Sequence, residues 1–300
     1  MGRIALLVNP TSGGGRGGPS GAAVAEQLRT SGVEVTDVSG ASADEARHNA
    51  QTVLDQGVDA LVVVGGDGVV HLGVNLVAGT STPLGIVPAG TGNDIARALG
   101  LSIDDVAAAG STVLSAVQSG TTRTIDAARH LPDEGTVGAG WFAGVLGAGF
   151  DAKVNERANG WRWPKGPRKY DLAIARELPV FKPLPYVLEL DGQVVTANAM
   201  LVAVGNGPSY GGGMLVCPDA ELDDGLLDVM IVDKISKIEF LKVFPKVYTG
   251  AHKDHPAVSI HRARTVRLST PGIVAYADGE RYAALPLTCE VVPGALHVLS

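Results

Sequence analysis

The 300-residue sequence is poor in cysteine and in aromatic residues. Its two cysteines, Cys217 and Cys289, are too few for a disulfide framework, and they lack the Cys-x-x-Cys spacing of a zinc site. We expect both to be free and buried, as in a reducing cytoplasm. Aromatic residues make up only 5% of the chain, whereas 40 residues are glycine. Small aliphatic side chains must therefore fill the core, and many backbone positions need the conformational freedom of glycine.

Long apolar runs and net positive charge are also missing. No stretch of 18 uncharged apolar residues occurs, so no transmembrane helix is predicted. The opening MGRIALLVNP has too short an apolar run for a secretory signal. A formal net charge of −7 argues against a general nucleic-acid-binding protein. These features predict a globular cytoplasmic protein, with peripheral contact at the inner membrane face as a further hypothesis.

The first 127 residues alternate short buried strands with helices. Ser20 and Ser42 are candidate N-caps for two of the helices. The alternation is typical of an α/β domain with a parallel sheet. Strands are predicted at 3–8, 33–38, 60–64 and 83–88, and helices at 19–31, 43–56, 70–77 and 94–99.

After residue 126 the pattern changes to short β-like runs. Only 166–178 and 236–250 are predicted to be helical in this part, so the second domain is predicted to be β-rich. We place the boundary between the two domains near 125–130.

Three polar, glycine-rich motifs follow predicted strands of the first domain: NPTSGGG at 9–15, GGDG at 65–68 and PAGTGNDIA at 88–96. Ligands of open parallel sheets bind at the carboxyl ends of strands. Backbone N–H groups and hydroxyls in such loops can hold phosphate oxygens. Asp67 can orient a metal ion or a substrate hydroxyl, and Asn93 or Asp94 is predicted to cap a helix.

Taken together, the three motifs resemble the diacylglycerol kinase catalytic domain family, and best its bacterial members. Further segments look like that family's second-domain signatures in the expected order: GAGFDA (147–152), GNGPSYGGGM (205–214), PDAELDDGLLDV (218–229) and YADGE (276–280). The resemblance covers nearly the whole chain. It implies an α/β nucleotide-binding domain at 1–127 that is joined by 291–300, and a β-sandwich-like lipid-binding domain at 128–290. The active site would lie in the cleft between the domains.

The same resemblance implies an ATP-dependent, magnesium-using lipid kinase, with diacylglycerol as the expected acceptor and phosphatidic acid as the product. Asp126 would support the magnesium–nucleotide water network, and Asp278 and Glu280 would face the transferred phosphate. A structural magnesium ion would be held by Glu221, Asp224 and the Leu226 carbonyl. The nucleotide would contact Asn9, Pro10, Thr11, Ser12, Gly13, Gly65, Gly66, Asp67, Gly68, His71, Thr91 and Asn93.

Phosphoryl transfer independently calls for an acidic residue. A lipid alcohol is un-ionised at pH 7, so a carboxylate within hydrogen-bond reach is the expected general base. Asp67, Asp278 and Glu280 are the three candidates, and the sequence does not choose among them. We favour the Asp278–Glu280 pair for the base and Asp67 for holding the metal or the hydroxyl.

The chain departs from the family pattern just after GGDG. Val69, His71 and Leu72 stand where the family usually has Thr, Asn and Glu. Asn75 lies one helical turn from His71 and shares its face. The missing Thr and Glu leave open a catalytically silent nucleotide- or lipid-binding regulator. NAD kinases share a GGDG turn in a related two-domain architecture, so an NAD kinase-like enzyme is the second alternative. The sequence does not name the acceptor lipid, and a homodimer is a further hypothesis.

Residues 161–170, WRWPKGPRKY, combine tryptophans with Arg162, Lys165, Arg168 and Lys169. Residues 153–182 carry eight basic side chains against three acids, a net charge of +5 in an acidic protein. Tryptophan and basic residues suit the headgroup level of an anionic membrane, which makes this segment a candidate membrane contact. A solvated helix start or a basic collar for ATP phosphates is the alternative.

Overall fold

The computed structural model describes residues 2–132, 138, 140–161 and 168–300. The chain divides into two compact units, Met1–Ala127 with Pro293–Ser300, and Ala128–Val292. Both limits fall inside long strands, so the chain passes from one unit to the other in extended conformation.

The first unit is built on a parallel sheet. Its strands lie in the order β2 (Glu34–Asp37), β1 (Arg3–Val8), β3 (Ala60–Gly65), β4 (Leu84–Pro88) and the end of β15 (Leu287–Leu299). Strand β3 is buried along its whole length, which explains its uninterrupted apolar sequence. Helices α2 and α6 contact each other, as do α3 and α4. The elements are β1 (Arg3–Val8), α1 (Ser12–Gly15), α2 (Gly17–Thr30), β2 (Glu34–Asp37), α3 (Ala43–Asp55), β3 (Ala60–Gly65), α4 (Asp67–Val77), β4 (Leu84–Pro88), α5 (Asp94–Ala98), α6 (Val106–Ser119), β5 (Thr122–Leu131) and the end of β15 (Leu287–Leu299).

Most of the predicted elements of this unit are confirmed, but two helix starts are wrong. Ser42 caps α3 as predicted, its side chain accepting the Glu45 N–H. Ser20, in contrast, lies inside α2, which begins at Gly17. The early start is possible because Gly17 has no Cβ and can lie against the Asn9 carbonyl. Helix α4 likewise begins at Asp67 rather than at residue 70.

In its described residues, the second unit is mainly antiparallel β structure with three α-helices. Strand β9 is central, since β7, β8 and β10 all pair with it in antiparallel register. The elements are the end of β5, β6 (Trp141–Phe142), β7 (Val145–Gly149), α7 (Phe150–Asn159), α8 (Arg168–Glu177), β8 (Leu184–Leu190), β9 (Gln193–Gly205), β10 (Leu227–Asp233), α9 (Lys237–Val243), two 3-10 helices (Phe244–Thr249 and Ala251–Asp254), β11 (Val258–Ala263), β12 (Thr265–Ser269), β13 (Val274–Ala277), β14 (Glu280–Ala284) and most of β15.

Strands β7, β9 and β10 separate two apolar cores within this unit. Alternate residues such as Leu146 and Val202 belong to a core shared with β8, β12 and β13. Their sequence neighbours, such as Val145 and Ala203, belong to a core shared with α7, α8 and α9. Because both faces are covered, β7, residues 199–205 of β9 and most of β10 are apolar.

Helix α7 was not predicted from the sequence, which indicates helices only at 166–178 and 236–250 in this part of the chain. The helix buries Phe150, Val154 and Ala158, spaced four residues apart on one face. The other residues of the helix are mostly polar, so its short apolar pattern is difficult to recognise in the sequence. The predicted helix at 236–250 is shorter than expected, because α9 gives way to a 3-10 helix at Phe244.

Two predictions made from what the sequence lacks can be compared with the structure. Cys217 and Cys289 are free and buried, as expected. No helix in the described part of the chain has the length and hydropathy needed to span a bilayer.

Candidate active site

The three glycine-rich motifs of the first unit meet at the carboxyl ends of β1, β3 and β4. Ser12, after β1, accepts the Gly66 N–H with its hydroxyl at 3.2 Å. Arg16 donates from Nη2 to the Gly90 carbonyl at 3.2 Å and from Nε to the Gly13 carbonyl at 3.0 Å. Direct hydrogen bonds therefore join all three loops into one surface, as the parallel topology predicts.

Gly66 and Gly90 form the closest approach between two of these loops. A Cβ on Gly66 would lie 3.1 Å from the Gly90 Cα, and a Cβ on Gly90 would overlap with Gly66. No other residue fits at either position without moving the backbone. The result is a stretch of bare backbone next to the start of α4, the kind of surface that lets polyphosphate oxygens reach N–H groups.

Asp67 fixes the third loop onto the second. Its Oδ1 accepts the Asp94 N–H at 2.7 Å and its Oδ2 accepts the Asn93 N–H at 2.9 Å. Asn93 is the N-cap of α5 and has a left-handed backbone with φ of 54°. The Asn93 side chain accepts the Gly90 N–H at 3.1 Å. Asp67 thus caps a helix 26 residues away in sequence, which makes it a positioning residue in this structure.

His71, Thr91 and Asp126, the other predicted nucleotide contacts, lie in different settings. His71 is on α4, where the Asn75 amide nitrogen lies 3.2 Å from His71 Nε2, so the two share a helix face. Thr91 is exposed in the loop after β4. Asp126 is buried, and its Oδ1 accepts the Gly294 N–H at 2.8 Å, which ties β5 to β15.

The predicted acidic pair of the second unit lies on the hairpin between β13 and β14. Ala277 and Glu280 are paired in register, so Asp278 and Gly279 form a two-residue turn, with φ of 51° and 85°. Asp-Gly is the sequence that such a turn favours.

The Asp278 carboxylate is anchored although it is buried. Its Oδ1 accepts the Gly144 N–H at 2.9 Å and its Oδ2 accepts the Ala143 N–H at 3.2 Å. Glu280, in contrast, is exposed. Burial, followed by the negative charge of Glu280, raises the pKa of Tyr170 on α8. The Tyr170 hydroxyl therefore lies close enough to Glu280 to be affected by its charge.

Asn206, just after β9, is a candidate site residue that the sequence analysis missed. It is fully buried, and its amide nitrogen donates to the Ala143 carbonyl at 2.9 Å while its backbone N–H donates to the Gly144 carbonyl at 2.9 Å. Asn206 therefore holds the two residues that hold Asp278. Asn206 lies in the GNGPSYGGGM motif (205–214) and directly follows the apolar run LVAVG (201–205), but no role was assigned to it from the sequence.

Glu221, Asp224 and the Leu226 carbonyl stay a prediction as ligands of a structural magnesium ion, and the structure places an arginine beside one of them. Asp224 accepts the Leu226 N–H with Oδ1 at 3.0 Å and binds the Arg262 guanidinium with Oδ2. Among the residues that the structure describes, no group of three or more His, Cys, Asp or Glu side chains is placed to hold a metal ion. Arg262 supplies positive charge beside Asp224, as Lys253 does beside Asp219, and the Arg262 Nε lies 3.6 Å from the carboxylate of Asp228.

The Arg262 guanidinium favours the ionised form of the Asp228 carboxylate. Burial raises the pKa of Asp228 to about 6, and the charges of Asp219 and Glu221 add to the effect. A cation beside it therefore stabilises the folded state.

This arrangement predicts that the loop does not depend on a divalent cation. We expect the thermal unfolding temperature to be equal in magnesium and in EDTA. We expect Arg262→Met to destabilise the protein by about 1–2 kcal/mol, because it leaves Asp224 and Asp228 without their cation. Arg264→Met, two residues along the chain, is the control. Magnesium stabilisation that Asp224→Asn abolishes would instead support the predicted magnesium site.

Glycine-rich loops at the strand ends of a parallel sheet, followed by a β-rich unit with an anchored acidic hairpin, define a phosphotransferase of the two-domain kinase type. The chain matches the diacylglycerol kinase catalytic domain over residues 3–130 and the YegS C-terminal NAD kinase beta sandwich-like domain over residues 144–300. It belongs to the diacylglycerol kinase family of lipid kinases. The predicted family and the β-sandwich-like second domain are thereby confirmed.

Individual relatives agree with this assignment. The diacylglycerol kinase of Mycobacterium tuberculosis (strain ATCC 25618 / H37Rv) is 42% identical over 300 residues, which cover 100% of this chain and 95% of that protein. The diacylglycerol kinase of Bacillus subtilis (strain 168) is 29% identical, over 95% of this chain and 92% of the relative.

Two solved structures share the fold. A putative diacylglycerol kinase from Bacillus anthracis has a TM-score of 0.77 at 24% identity, over 99% of this chain and 94% of the other. An NAD kinase from Archaeoglobus fulgidus has a TM-score of 0.57 at 13% identity, over 99% and 93%.

Proposed function

We propose that this enzyme transfers the γ-phosphate of ATP to the free hydroxyl of diacylglycerol and so makes phosphatidic acid. The observation that carries the proposal is the bare backbone surface at Gly66 and Gly90, which is linked to Ser12 and is suited to polyphosphate oxygens. The names of the relatives at 42% and 29% identity support diacylglycerol as the acceptor.

The first unit is the proposed nucleotide-binding domain. The loops at 9–13, 65–68 and 88–93 would bind the phosphates, and His71 and Thr91 would complete the nucleotide site. ATP is expected to bind as its magnesium complex, so this magnesium is part of the substrate. Asp126 would support the water network around it, while Asp67 acts by holding the loop that carries Asn93.

The second unit is the proposed lipid-binding domain and carries the general base. We assign that role to Asp278, because the Ala143 and Gly144 N–H groups hold its carboxylate in a fixed position and a positioned carboxylate is the expected general base for an alcohol. Glu280 is the second acid beside the transferred phosphate. We propose that this hairpin and the phosphate loops act in one active site, the predicted cleft, since phosphoryl transfer needs both reactants in line.

The proposed reaction is a direct displacement. The lipid hydroxyl oxygen attacks the γ-phosphorus as its proton passes to the Asp278 carboxylate. The bond from the γ-phosphorus to the β–γ bridging oxygen breaks, and ADP leaves with those electrons. No protein residue needs to form a covalent intermediate.

The test is transfer of labelled γ-phosphate from ATP to a set of acceptors in mixed micelles. The set contains diacylglycerol, monoacylglycerol, ceramide, sphingosine, phosphatidylglycerol and NAD⁺. We expect labelled phosphatidic acid as the main product. Label in NADP⁺ would favour an NAD kinase-like enzyme. ATP binding without transfer to any acceptor would favour a silent regulator and contradict the proposal.

A further inference from the structure

An exposed apolar patch on the second unit plays no part in the chemistry described above. It comprises Ile238 and Leu241 of α9, which are 70% and 55% exposed, together with Val180, which is 64% exposed. Lys237 donates to the Pro179 carbonyl, so the start of α9 lies beside Val180. We call these three residues the α9 face. Large aliphatic side chains this exposed and this close together indicate an interaction site.

The orientation of α9 is fixed by its opposite side. Phe240 is buried, its ring centroid lying 5.1 Å from that of Phe150 on α7, and Val243 is buried as well. Ile238 and Leu241 are three residues apart and so share the side that points away from this core. The exposure of the α9 face is therefore a consequence of firm packing behind it.

Positive charge surrounds the α9 face. Residues 234–250 contain four lysines, Lys234, Lys237, Lys242 and Lys246, against the single acid Glu239, a net charge of +3 in a chain of net charge −7. Lys234, Lys237, Lys242 and Lys246 are all exposed. Glu239 lies 3.3 Å from the His255 imidazole, and the flanking acids are Asp233 and Asp254.

This combination selects one kind of partner. Exposed aliphatic side chains ringed by lysines are typical of helices that lie in the interface of an anionic bilayer, where the aliphatic groups enter the acyl boundary and the lysines reach the headgroups. A second copy of the chain fits poorly, because a two-fold interface would place these lysines against each other.

We propose that the α9 face docks this protein on an anionic lipid surface. The inference rests on the proposed function in one respect, that a lipid acceptor is met at a membrane. The site differs from the membrane contact predicted at 161–170. In that segment Arg162 and Lys165 lie outside the described residues, and Lys169 lies 5.3 Å from the ring of Tyr170.

The experiment is vesicle co-sedimentation of the full chain without ATP. Vesicles of phosphatidylcholine alone are compared with vesicles that also contain phosphatidylglycerol. We expect wild-type protein to bind the anionic vesicles more tightly, and Ile238→Ser/Leu241→Ser to weaken that binding at least about ten-fold. Replacing Lys234, Lys242 and Lys246 by Gln should lower it roughly five-fold per lysine and leave the neutral vesicles unaffected.

A matched control removes two exposed aliphatic side chains elsewhere in the second unit. Val187 on β8 and Val194 on β9 are 48% and 66% exposed and lie beside Glu189 and Asp191 rather than lysines. Val187→Ser/Val194→Ser should bind anionic vesicles like the wild type. The lysine variant retains every apolar group, so it tests the proposal even if the serine pair on α9 unfolds the helix.

Two results would overturn the proposal. One is equal vesicle binding by the α9 variant and the control variant. The other is loss of a dimer, seen by light scattering, in the α9 variant with vesicle binding intact, which would assign the face to a second copy.

Failure of the proposed function is seen separately. A short-chain diacylglycerol dispersed as monomers should be phosphorylated equally by the wild type and the α9 variant. No phosphorylation of it by the wild type counts against the kinase assignment and leaves the vesicle result standing.

Discussion

We expect Asp278→Asn to lower kcat for diacylglycerol phosphorylation by about 10²–10⁴-fold, the usual contribution of a positioned general base, and to leave ATP affinity within about two-fold. Asparagine has nearly the same shape and tolerates the left-handed backbone that Asp278 adopts. It cannot accept a proton from the acceptor hydroxyl. Single-turnover transfer from labelled ATP, with ATP binding measured by calorimetry, separates these two quantities.

A second hairpin offers a close control for that substitution. Asp191 and Gly192 form the turn between β8 and β9, with φ of 48° and 85°. The Asp191 carboxylate also holds backbone N–H groups, those of Arg264 and Thr265, at 2.8–3.1 Å. Asp191→Asn therefore repeats the structural change of Asp278→Asn at a turn to which we assign no role in catalysis, and we expect normal kcat.

Glu280 is the alternative general base if Asp278→Asn has little effect on kcat. If Asp278→Asn keeps more than about a tenth of wild-type kcat, Asp278 only shapes its turn, and Glu280 becomes the base. Glu280→Gln should then abolish transfer. With Asp278 as the base, Glu280→Gln should cost about ten-fold.

The parts of the fold that could be predicted are those written in local patterns. Strand β3 is an unbroken apolar run because it is buried on both faces, and the glycines after it are required by the close contact of Gly66 with Gly90. Ser42 indicates the start of α3 because its own side chain caps the helix. Each of these signals lies within a few residues of the feature that it predicts.

The parts that could not be predicted depend on contacts between distant residues. Asp67 is conspicuous in GGDG, but only the folded chain shows that it caps α5. Nothing in the sequence around Arg262 indicates that it binds Asp224, 38 residues away. Asn206 reaches Ala143 across 63 residues. The sequence thus locates the candidate site, while the distribution of roles within it follows from the tertiary structure.

Asp151→Asn should stabilise the protein at neutral pH, although it alters a buried residue of the GAGFDA motif. Asp151 lies in the first turn of α7, where its carboxylate rests on the bare backbone of Gly147, since a Cβ there would overlap with Oδ2. Among the described residues, no donor meets hydrogen-bond geometry with either oxygen. Burial therefore raises the pKa of Asp151 from 3.8 to about 6. The Ala152 N–H and the Tyr210 hydroxyl lower this pKa in part, although neither makes a hydrogen bond of good geometry with the carboxylate.

The sign of the pH dependence follows from that direction. Because the folded state holds the proton more tightly than the unfolded state, the free energy of unfolding falls as pH rises from about 4 to about 6. A shift of about two pKa units corresponds to roughly 3 kcal/mol at neutral pH. Asparagine carries no charge to bury, so the variant should exceed the wild type by up to this amount above pH 7 and match it near pH 4.

Urea unfolding across this pH range is the measurement, with exposed Asp104→Asn as the control that changes the same chemical group in water. Asp228, whose pKa is also raised to about 6, contributes equally to both curves and cancels in the difference. An Asp151→Asn variant that is less stable at every pH would mean that the carboxylate has a partner worth more than its desolvation. A more stable but slower kinase would show that this destabilising acid is retained for function, because natural proteins give up stability at functional sites.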